Sequence, residues 1–509
     1  MHRFRSEGLL GLRSSGISIC SLVAALLVCS LHDAASAESP PASAAGAATP
    51  YDARPWLADL EQTRTALADR YANLEWVVFE HETNLALLFA DTKLRVNSAA
   101  TSTEARAAFD RLARQLGDGH VRFRWQEQAT DNQRPTADCK GLGYDAVKSG
   151  VPVAAYLPGY APLANPHDAV FPAGMIRVGA HRVGVVRIGL FAPQGIPSLC
   201  TAALDALQLE AAAPCDDDCA DRIEAWVSAR MTADLVREVR SLRARGAEVL
   251  LIDIANNGGG TEWAEAAARM LSPIRLKSEH VGFVRGAHWA GALSAQEAGL
   301  RTAATTADAA DRAFLLSMAS QVAARHEEAA TPCDAEPFWR GERPACPWLG
   351  DSWFSSGAID SDTPRIHGKP WASLVFTPAK FEYEAGAWRG PLIVLVNGST
   401  GSAAEEFAAI LQDNRAALVL GAPTVGAGCG HTDGGTPTVL ENSGGVLELP
   451  DCARFRADGS NEVMGVEPDL LVGLRAADGP HRQALRVAAA LPEAVNRALR
   501  LRNAGRVHH

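Results

Sequence analysis

Apolar side chains recur with two different periods along the chain, and these periods predict its elements. Within residues 56–115 apolar side chains such as Leu57, Leu60 and Leu67 recur at roughly helical spacing, which predicts a helical domain over 51–125. Beyond residue 179, short apolar runs alternate with amphipathic stretches. The runs predict strands at 183–190, 249–254, 392–396, 418–420 and 469–472, and the stretches predict helices at 220–245, 262–271 and 403–412. This alternation predicts an α/β fold.

One long segment, 274–389, interrupts the alternation of strands and helices. It is too long to connect two neighbouring elements, so we expect it to form an inserted subdomain. It contains a helical pattern near 308–328, followed by a tryptophan-rich stretch. The other expected parts are a Pro- and Gly-rich connecting region without a clear PDZ module, a core in two pieces and a C-terminal helix, at 126–178, at 179–273 with 390–475, and at 476–509.

Composition and charge exclude several classes of protein. The chain of 509 residues is 47% hydrophobic and 21% charged, which is too apolar for a disordered chain. Its net charge is −11, and no basic run follows the first few residues. Because a nucleic-acid binder needs a basic face for the phosphates, we expect no nucleic-acid partner.

The N-terminus has the pattern of a secretory signal peptide. Three arginines in the first thirteen residues precede the apolar stretch 17–31, and residues 35–37 form a small-x-small cleavage site. The apolar stretch is shorter than the roughly 20 residues that span a bilayer. We therefore predict a signal peptide over 1–37, a flexible leader over 38–50, and an exported protein, periplasmic or secreted, with no stable membrane span after cleavage.

The cysteines support export. Eight remain after the predicted signal peptide, and an even number in an exported chain predicts disulfide bonds. The sequence leaves the connectivity open, although proximity favours Cys333–Cys346, Cys429–Cys452 and Cys215–Cys219. The alternative of a zinc site lacks the paired CxxC spacing that such sites use, so we expect no metal.

A first candidate for chemistry is Ser402, in the segment 397–405, NGSTGSAAE. The segment joins a predicted strand to a predicted helix, so the serine would project from a tight turn beside the first amides of the helix. Acyl transfer needs such a hydroxyl, and donors for the developing oxyanion. The alternative is structural, because Ser402 and Glu405 also form the pattern of a capping box.

Two further segments contain candidate partners for that serine. Residues 253–260 place three glycines after a buried strand, where an amide of Gly259 or Gly260 could bind an oxyanion or simply form a turn. Residues 116–120 end in His120, and histidine is the usual base for a serine. Neither segment matches a phosphate-binding loop, and no cofactor is implied.

Together these segments resemble the tail-specific, or C-terminal-processing, serine peptidases and their tricorn-type relatives. Residues 251–260 are similar to the family's strand and Gly-Gly turn, 392–428 to its nucleophile block, and 465–469 to its closing Gly-x-x-Pro-Asp strand. Residues 117–121 are similar to the histidine motif of the tricorn-type branch. The resemblance implies a crotonase-like (ClpP/crotonase) α/β core of ββα units with a helical N-terminal domain.

One position separates the two branches of that family. In the Ser-Lys branch a lysine occupies the turn after the nucleophile, and here the position is Ala427. Alanine cannot act as a base, and a serine without a base is a weak nucleophile. The tricorn-type branch implies His120 as the base and Glu462 as a residue that orients or supports the polar network. His431, four residues after Ala427, is the competing base.

The resemblance implies an exported serine endopeptidase that cleaves polypeptides through an acyl-enzyme. Ser402 would attack, His120 would transfer the proton, and amides of Gly259, Gly260 and Ala403 would bind the oxyanion. Two alternatives stay open: a non-catalytic ligand- or peptide-binding protein on the same fold, and an esterase that uses the same serine. The sequence does not define the oligomeric state.

The tryptophans of the insert have two interpretations. Trp348 and Trp353 lie at or just beyond a loop that the Cys333–Cys346 bond would close, so they would suit a rigid lid that binds substrate over the cleft. Alternatively, they form a small core that packs the insert against the body of the protein. The two interpretations differ for Trp348→Ala, which should raise KM in a lid and lower stability in a core.

Overall fold

A mixed sheet of seven strands lies at the centre of the chain. The computed structural model describes residues 50–125, 137–163, 170–210, 213–432, 435–475 and 477–505. Within them the helices are α1 (Ala53–Arg70), α2 (Leu74–Phe79), α3 (Leu85–Ser98), α4 (Ser102–Gln115), α5 (Pro197–Ala206), α6 (Asp217–Ala244), α7 (Trp263–Leu271), α8 (Ala287–Thr306), α9 (Ala309–Ala329), α10 (Ala403–Asp413) and α11 (Pro480–Gly505). The strands are β1 (Arg122–Arg124), β2 (Ala161–Pro162), β3 (Ala173–Val178), β4 (His181–Arg187), β5 (Val249–Asp253), β6 (His280–Val284), β7 (Leu349–Phe354), β8 (Leu392–Val396), β9 (Leu418–Gly421), β10 (Thr438–Val439), β11 (Val446–Glu448), β12 (Cys452–Phe455) and β13 (Leu470–Leu471).

The order of the central sheet is β13-β9-β8-β5-β4-β3-β2. The five strands from β13 to β4 are parallel to their neighbours, and β3 and β2 continue the sheet antiparallel. Helices α6, α7 and α10 pack on one face, and α11 packs on the other. Since both faces are covered, the inner strands are apolar along their whole length, as in β8, where every residue is buried. The predicted α/β fold is confirmed.

The helices α1–α4 share a core with segments from distant parts of the chain. Tyr71 and Phe109 from these helices pack with Phe338 and Trp348 from the insert and with Leu449. The helices begin at side-chain caps, because Asp52, Asn84 and Thr101 each accept a hydrogen bond from the first turn. The helical segment is therefore joined to the insert by a common apolar core.

The segment 274–389 contributes its own helices and strands. Strands β12, β6 and β7 form a three-stranded antiparallel sheet, so part of the segment pairs with a strand from beyond it, and α8 packs against α9. The sequence pattern predicted the region of α9 and missed α8. Alanine, glycine and threonine make up much of α8, so the contrast between its buried and exposed faces is weak.

Four disulfide bonds lie within the described residues. They are Cys139–Cys200, Cys215–Cys219, Cys333–Cys346 and Cys429–Cys452. The three pairs that sequence proximity favours are confirmed. The fourth pair spans 61 residues, a separation that proximity could not predict.

The predicted signal peptide over 1–37 and the leader up to residue 49 lie outside the described residues. In the part of the chain that the structure does describe, no helix combines the length and apolar character needed to cross a bilayer.

Candidate active site

The carboxyl ends of the adjacent parallel strands β5 and β8 place two turns side by side. Asn256 follows β5 and Asn397 follows β8, and two hydrogen bonds of 2.9 Å join their amide groups and the Asn256 backbone. The N–H of Gly401 also donates to the carbonyl of Asn257 at 3.0 Å. The sheet topology therefore brings together segments that lie 141 residues apart in the sequence.

Ser402 lies at a strained turn between β8 and α10. Its backbone angles, φ 55° and ψ −128°, fall in a region that residues other than glycine rarely adopt. The N–H of Ser402 donates to the Glu405 carboxylate at 2.9 Å, so the glutamate half of the predicted capping box is present. A serine on a strained strand-to-helix turn is also the arrangement known as a nucleophile elbow. The same segment can therefore serve as a cap and present a nucleophile.

Gly259 is the point where the turn after β5 approaches the serine most closely. Its φ is 113°, and a Cβ atom there would lie 2.6 Å from the Cβ of Ser402 and 3.0 Å from the nitrogen of Ala403. Only glycine fits this position without moving the serine turn. The N–H of Gly259 already donates to the side chain of Asn257 at 2.8 Å. This bond occupies the amide of Gly259 and so disfavours its expected role as an oxyanion donor.

The other two expected oxyanion donors, Gly260 and Ala403, lie where they could bind an oxyanion beside Ser402. Gly260 and Ala403 line the cavity that contains Ser402. Ala403 is the first residue of α10, and the first N–H groups of a helix have no carbonyl partner within it. The amides of Gly260 and Ala403 are therefore the candidates for an oxyanion site.

We predict that Gly259→Ala lowers kcat by about 100-fold, because displacing a reacting group by about 1 Å has an effect of that size. The added methyl group would collide with the Ser402 turn, as the 2.6 Å approach indicates. Steady-state kinetics on a peptide substrate measure the change. Gly258→Ala is the matched control, because a Cβ at Gly258 meets no atom within 4 Å. Equal rates for the two variants would contradict the prediction.

His120 reaches Ser402 from the turn between α4 and β1. Its Nε2 atom lies 3.0 Å from Oγ of Ser402, and its Nδ1 atom lies 2.7 Å from the carbonyl oxygen of Ala427. A carbonyl only accepts, so Nδ1 carries the proton, and in the neutral ring Nε2 accepts the hydrogen bond from the serine hydroxyl. Burial lowers the pKa of His120, although the bond to Ala427 opposes that effect. The ring thus has the protonation state that a general base needs.

One buried carboxylate fixes both the serine turn and the acceptor of the histidine. Besides the N–H of Ser402, Glu405 accepts hydrogen bonds from the N–H of Gly426 at 2.7 Å, from the N–H of Ala427 at 2.9 Å and from the hydroxyl of Thr424 at 2.5 Å. Because Glu405 holds Ala427, it also sets the direction of the Ala427 carbonyl. Glu405 therefore couples the positions of the two reacting groups.

Asp118 anchors the histidine turn from the other side. It is buried and accepts hydrogen bonds from the hydroxyl of Tyr71 at 3.1 Å, the side-chain amide of Asn73 at 2.8 Å and the N–H of His120 at 2.9 Å. Burial raises the pKa of Asp118 to about 6, while these hydrogen bonds act in the opposite direction. The turn that carries His120 is therefore fixed by a carboxylate that is ionised at neutral pH.

Glu462 is fully buried, and its direct partner is Arg454. The guanidinium of Arg454 donates to the two carboxylate oxygens at 2.5 and 3.2 Å. Among the described residues, Glu462 forms no hydrogen bond with His120 or Ser402. Its negative charge raises the pKa of His120, an influence smaller than the opposing effect of burial. Glu462 thus lies in the polar network behind the site, and its effect on the histidine is electrostatic.

His431, the competing base, lies beside His120 with 5.7 Å between the ring centroids. Its Nδ1 atom donates to the carbonyl of Leu449 at 3.0 Å. Its Nε2 atom is buried and has no hydrogen-bond partner among the described residues. The structure therefore brings His120, rather than His431, into contact with the Ser402 hydroxyl.

Trp348 and Trp353, which the sequence groups together, lie in different places. Trp353 lines the cavity that contains Ser402. Trp348 is 4% exposed in the core of the N-terminal helices, where its indole N–H donates to the carbonyl of Tyr71 at 3.0 Å. This corrects the lid interpretation for Trp348, because a side chain enclosed in that core cannot contact a substrate.

We predict that Trp348→Ala costs about 3–5 kcal/mol of unfolding free energy, as large-to-small changes of buried aromatics do. KM for a peptide should stay unchanged in the protein that remains folded, because the side chain is enclosed in another part of the molecule. Thermal or denaturant unfolding and steady-state kinetics on the same sample measure both quantities. A raised KM with unchanged stability would support the lid instead.

The cavity beside Ser402 has a volume of about 600 Å³. The core contributes the first turn of α10, including Ala403 and Glu406, and the insert contributes Trp289 and Trp353. The Cys429–Cys452 bond lies along its wall, beside His431. The cavity is therefore formed by the core and the insert together, and Ser402 is one of the core residues that line it.

The sequence predicts no part in the active site for several groups that support it, although it does predict Glu405 as half of a capping box. Asp118 and Glu405 both lie inside recognised motifs, and a polar residue next to a candidate catalytic residue is the signal that could have identified them. The carbonyl of Ala427 offers no such signal, because every residue has a carbonyl. Arg454 has no motif around it, and only the fold shows that it neutralises Glu462.

Comparison with known proteins defines the class of the chain as a serine-type peptidase. Residues 222–472, just under half of the chain, match the family model described as Peptidase family S41, and this match supports a tail-specific protease of that family. The family resemblance predicted from the motifs is thereby confirmed. A search of curated protein sequences finds no match.

Solved structures with a similar fold include mature CPAF, with a TM-score of 0.54 and 15% sequence identity over 88% of this chain and 98% of that chain. Mature CPAF complexed with lactacystin is similar to the same degree, with a TM-score of 0.55 and 14% identity over 88% and 99% of the two chains. At these identities the likeness shows a shared fold.

Proposed function

We propose that this protein is an exported serine endopeptidase in which Ser402 is the nucleophile and His120 is the general base. The observation that carries the proposal is the 3.0 Å contact between Oγ of Ser402 and Nε2 of His120, made by a serine on a strained turn. Nucleophile and base within hydrogen-bond reach, with the base oriented by a third group, are the signature of covalent catalysis. Here the third group is the carbonyl of Ala427.

The proposed reaction follows from this geometry. His120 Nε2 takes the hydroxyl proton as Ser402 Oγ attacks the peptide carbonyl, and the amides of Gly260 and Ala403 stabilise the oxyanion. His120 then gives the proton to the leaving amine, and an acyl-serine remains. A water molecule, deprotonated by His120, attacks the acyl-serine and releases the new carboxyl end of the substrate. The imidazolium formed in each half is stabilised by the carbonyl of Ala427.

Glu462 and Asp118 serve this reaction as positioning residues. Asp118 holds the turn of His120, and Glu462 neutralises Arg454, whose positive charge lowers the pKa of His120. Without Glu462, Arg454 would lose the partner that accepts two of its hydrogen bonds, and its less compensated charge would disfavour the imidazolium that the mechanism needs. Both residues therefore support the base through other groups.

The proposed organisation is a crotonase-like core of ββα units over 179–273 and 390–475. The core supplies the serine, its turn partners and the oxyanion amides, and the helical segment 51–125 supplies the histidine. The insert 274–389 forms one wall of the cavity. In this organisation the active site is complete only when the helical segment is docked on the core.

Export of the protein is supported by the four disulfide bonds among the described residues. Disulfide bonds persist in oxidising compartments and are rare in reducing ones. Together with the signal pattern over 1–37, they favour a periplasmic or secreted enzyme.

A fluorophosphonate probe tests the proposal, because it reacts with an activated serine. We expect labelling at Ser402, identified by mass spectrometry, and hydrolysis of an unstructured polypeptide by the same preparation. A non-catalytic binding protein would not be labelled. An esterase would be labelled and would cleave small esters while leaving the polypeptide intact, and either outcome would overturn the proposal.

We also predict that kcat/KM falls in acid with a midpoint below about 6.5, the ordinary pKa of histidine. Burial lowers the pKa of His120, so the base stays neutral down to a pH below that value, and protonation then removes it. Protonation of Asp118, with a pKa of about 6, acts in the same direction by weakening the anchor of the turn. A pH–rate profile measures this. A rate that still rises above about pH 9 would indicate a lysine-type base instead.

A further inference from the structure

A cluster of charged side chains lies beside the cavity that contains Ser402, and two of its members, Glu406 and Arg454, line that cavity. We call it the acid cluster: Arg454 and Arg456 with Glu279, Glu406, Glu462 and Asp413. Arg454 pairs with Glu462 at 2.5 Å, with Glu406 at 3.1 Å and with Glu279 at 3.6 Å. Arg456 pairs with Asp413 at 2.6 Å and with Glu279 at 3.8 Å. Two guanidinium groups thus face four carboxylates, so full ionisation would leave two negative charges in excess.

The excess negative charge is costly because the cluster is buried. Glu279 is 5% exposed, and neither of its carboxylate oxygens has a hydrogen-bond partner among the described residues. Burial raises the pKa of Glu406 to about 8, even though Arg454 opposes the shift, and it raises that of Glu279 well above its usual range. A buried charge needs a partner of opposite sign, and this cluster is short of cations.

Of the four acids in the acid cluster, Glu406 is the one that lines the cavity. It lies four residues after Ser402 on α10, so the two side chains are on the same side of the helix, about 6 Å apart along its axis. Glu406 lines the cavity together with Ser402. A side chain that enters the cavity from the acyl group on Ser402 would therefore pass along α10 towards the Glu406 carboxylate.

The walls of the cavity suit the stem of a long side chain. Trp289, Leu293, Trp353 and Leu374 line it and present apolar surface. Methylene stems of lysine and arginine pack on such surface while the charged head finds a partner at the end. A cavity whose lining combines these apolar side chains with the Glu406 carboxylate therefore matches a long cationic side chain. The cation on the same lining, Lys380, faces a different acid, Glu262, at 3.9 Å.

Arg454 also lines the cavity, but its guanidinium is already committed. Its Nε and Nη2 atoms bind Glu462, Nη2 also donates to the carbonyl of Gly428 at 2.9 Å, and Nη1 faces Glu406. A substrate carboxylate at this place would add a fifth carboxyl group to a cluster that has only two guanidinium groups. The charge balance thus disfavours an acidic side chain or a terminal carboxylate.

We propose that this cavity binds a lysine or arginine side chain of the polypeptide, at the residue that contributes the scissile carbonyl, with Glu406 as the partner of its cation. The assignment rests on the proposed function of Ser402 and names the substrate class of that same site. It makes Glu406 a specificity residue, because an incoming cation supplies the positive charge that allows the Glu406 carboxyl group to ionise in this buried cluster.

Two fluorogenic peptides test this assignment. They are identical except that the residue before the cleaved bond is lysine in one and norleucine, which has the same four-carbon stem without charge, in the other. We expect the wild-type enzyme to favour lysine at least tenfold in kcat/KM. In Glu406→Gln the ratio should fall to about one. The control Glu493→Gln makes the same charge change on the exposed face of α11 and should keep the wild-type ratio.

The wild-type ratio decides the matter even if Glu406→Gln does not fold. A ratio of one or less in the wild type overturns the assignment, and so does a lysine preference that persists in folded Glu406→Gln. Failure of the proposed function would give a different result: either neither peptide is cleaved, or Ser402→Ala still cleaves both. Cleavage of the norleucine peptide that disappears in Ser402→Ala, without a lysine preference, removes only the assignment of specificity.

Discussion

Ser402→Ala is expected to abolish hydrolysis of an unstructured polypeptide, with kcat/KM reduced by at least about 10⁴-fold. The variant keeps the fold but lacks the oxygen that forms the acyl-enzyme, and in serine hydrolases such a loss leaves only binding and the oxyanion amides. The stability of the protein should change by no more than about 1 kcal/mol, the usual contribution of a capping serine. Steady-state kinetics and thermal unfolding measure the two effects.

The neighbouring Ser399 provides a matched control. It lies in the same turn with an exposed side chain, so Ser399→Ala removes a hydroxyl of the same kind outside the contact with His120. We expect this variant to retain activity and fluorophosphonate labelling. If Ser402→Ala unfolds while its soluble fraction cleaves normally, the serine is only a cap. If both variants lose activity equally, the turn as a whole is responsible rather than the hydroxyl of Ser402.

The strand-and-helix pattern around the serine is visible in the sequence because both elements are buried. The predicted strand 392–396 coincides with β8, and the predicted helix 403–412 differs from α10 by one residue. Strands that are covered on both faces appear as uninterrupted apolar runs, and the serine turn follows directly from one of them. The strand, the turn and the helix that carry Ser402 can therefore each be predicted from the local sequence.

The contacts that orient the histidine have no such local signal. His120 is 282 residues from Ser402 and 307 residues from Ala427 in the sequence, and the family resemblance rather than any spacing joined it to the serine. The resemblance also led us to expect Glu462 in the polar network, but it did not indicate that Arg454 binds both of its oxygens. Such pairings depend on the docking of distant segments, which a single sequence does not specify.

The two tryptophans show the same limit within a short segment. Trp348 and Trp353 are five residues apart and have the same chemistry, yet one lies in the core of the N-terminal helices and the other lines the cavity. The sequence alone does not distinguish a lid over the cleft from a small packing core, because an aromatic side chain suits both. Trp348 directly precedes β7 and Trp353 lies near its end, and the two side chains pack into two different hydrophobic cores.

His120→Ala is expected to lower kcat/KM by at least about 10³-fold, whereas His431→Ala should stay within about tenfold of the wild type. His120 Nε2 is the atom in contact with the serine hydroxyl, and His431 instead donates through Nδ1 to the backbone of Leu449. General acid–base groups contribute about 10²–10⁴-fold, and a nucleophile that loses its base loses more than that when the two act together.

Rescue by a small base distinguishes a lost general base from a collapsed site. In His120→Ala the imidazole ring is absent while Asp118 and Glu405 still hold the flanking turns, so added imidazole should restore part of the activity. The matched variant His431→Ala should show no gain from imidazole. The reverse pattern, with His431→Ala inactive and rescued and His120→Ala active, would move the base to the loop after the nucleophile helix. That outcome would require the Nε2 atom of His431, which has no hydrogen-bond partner in the described part of the chain, to turn towards Ser402 when substrate binds.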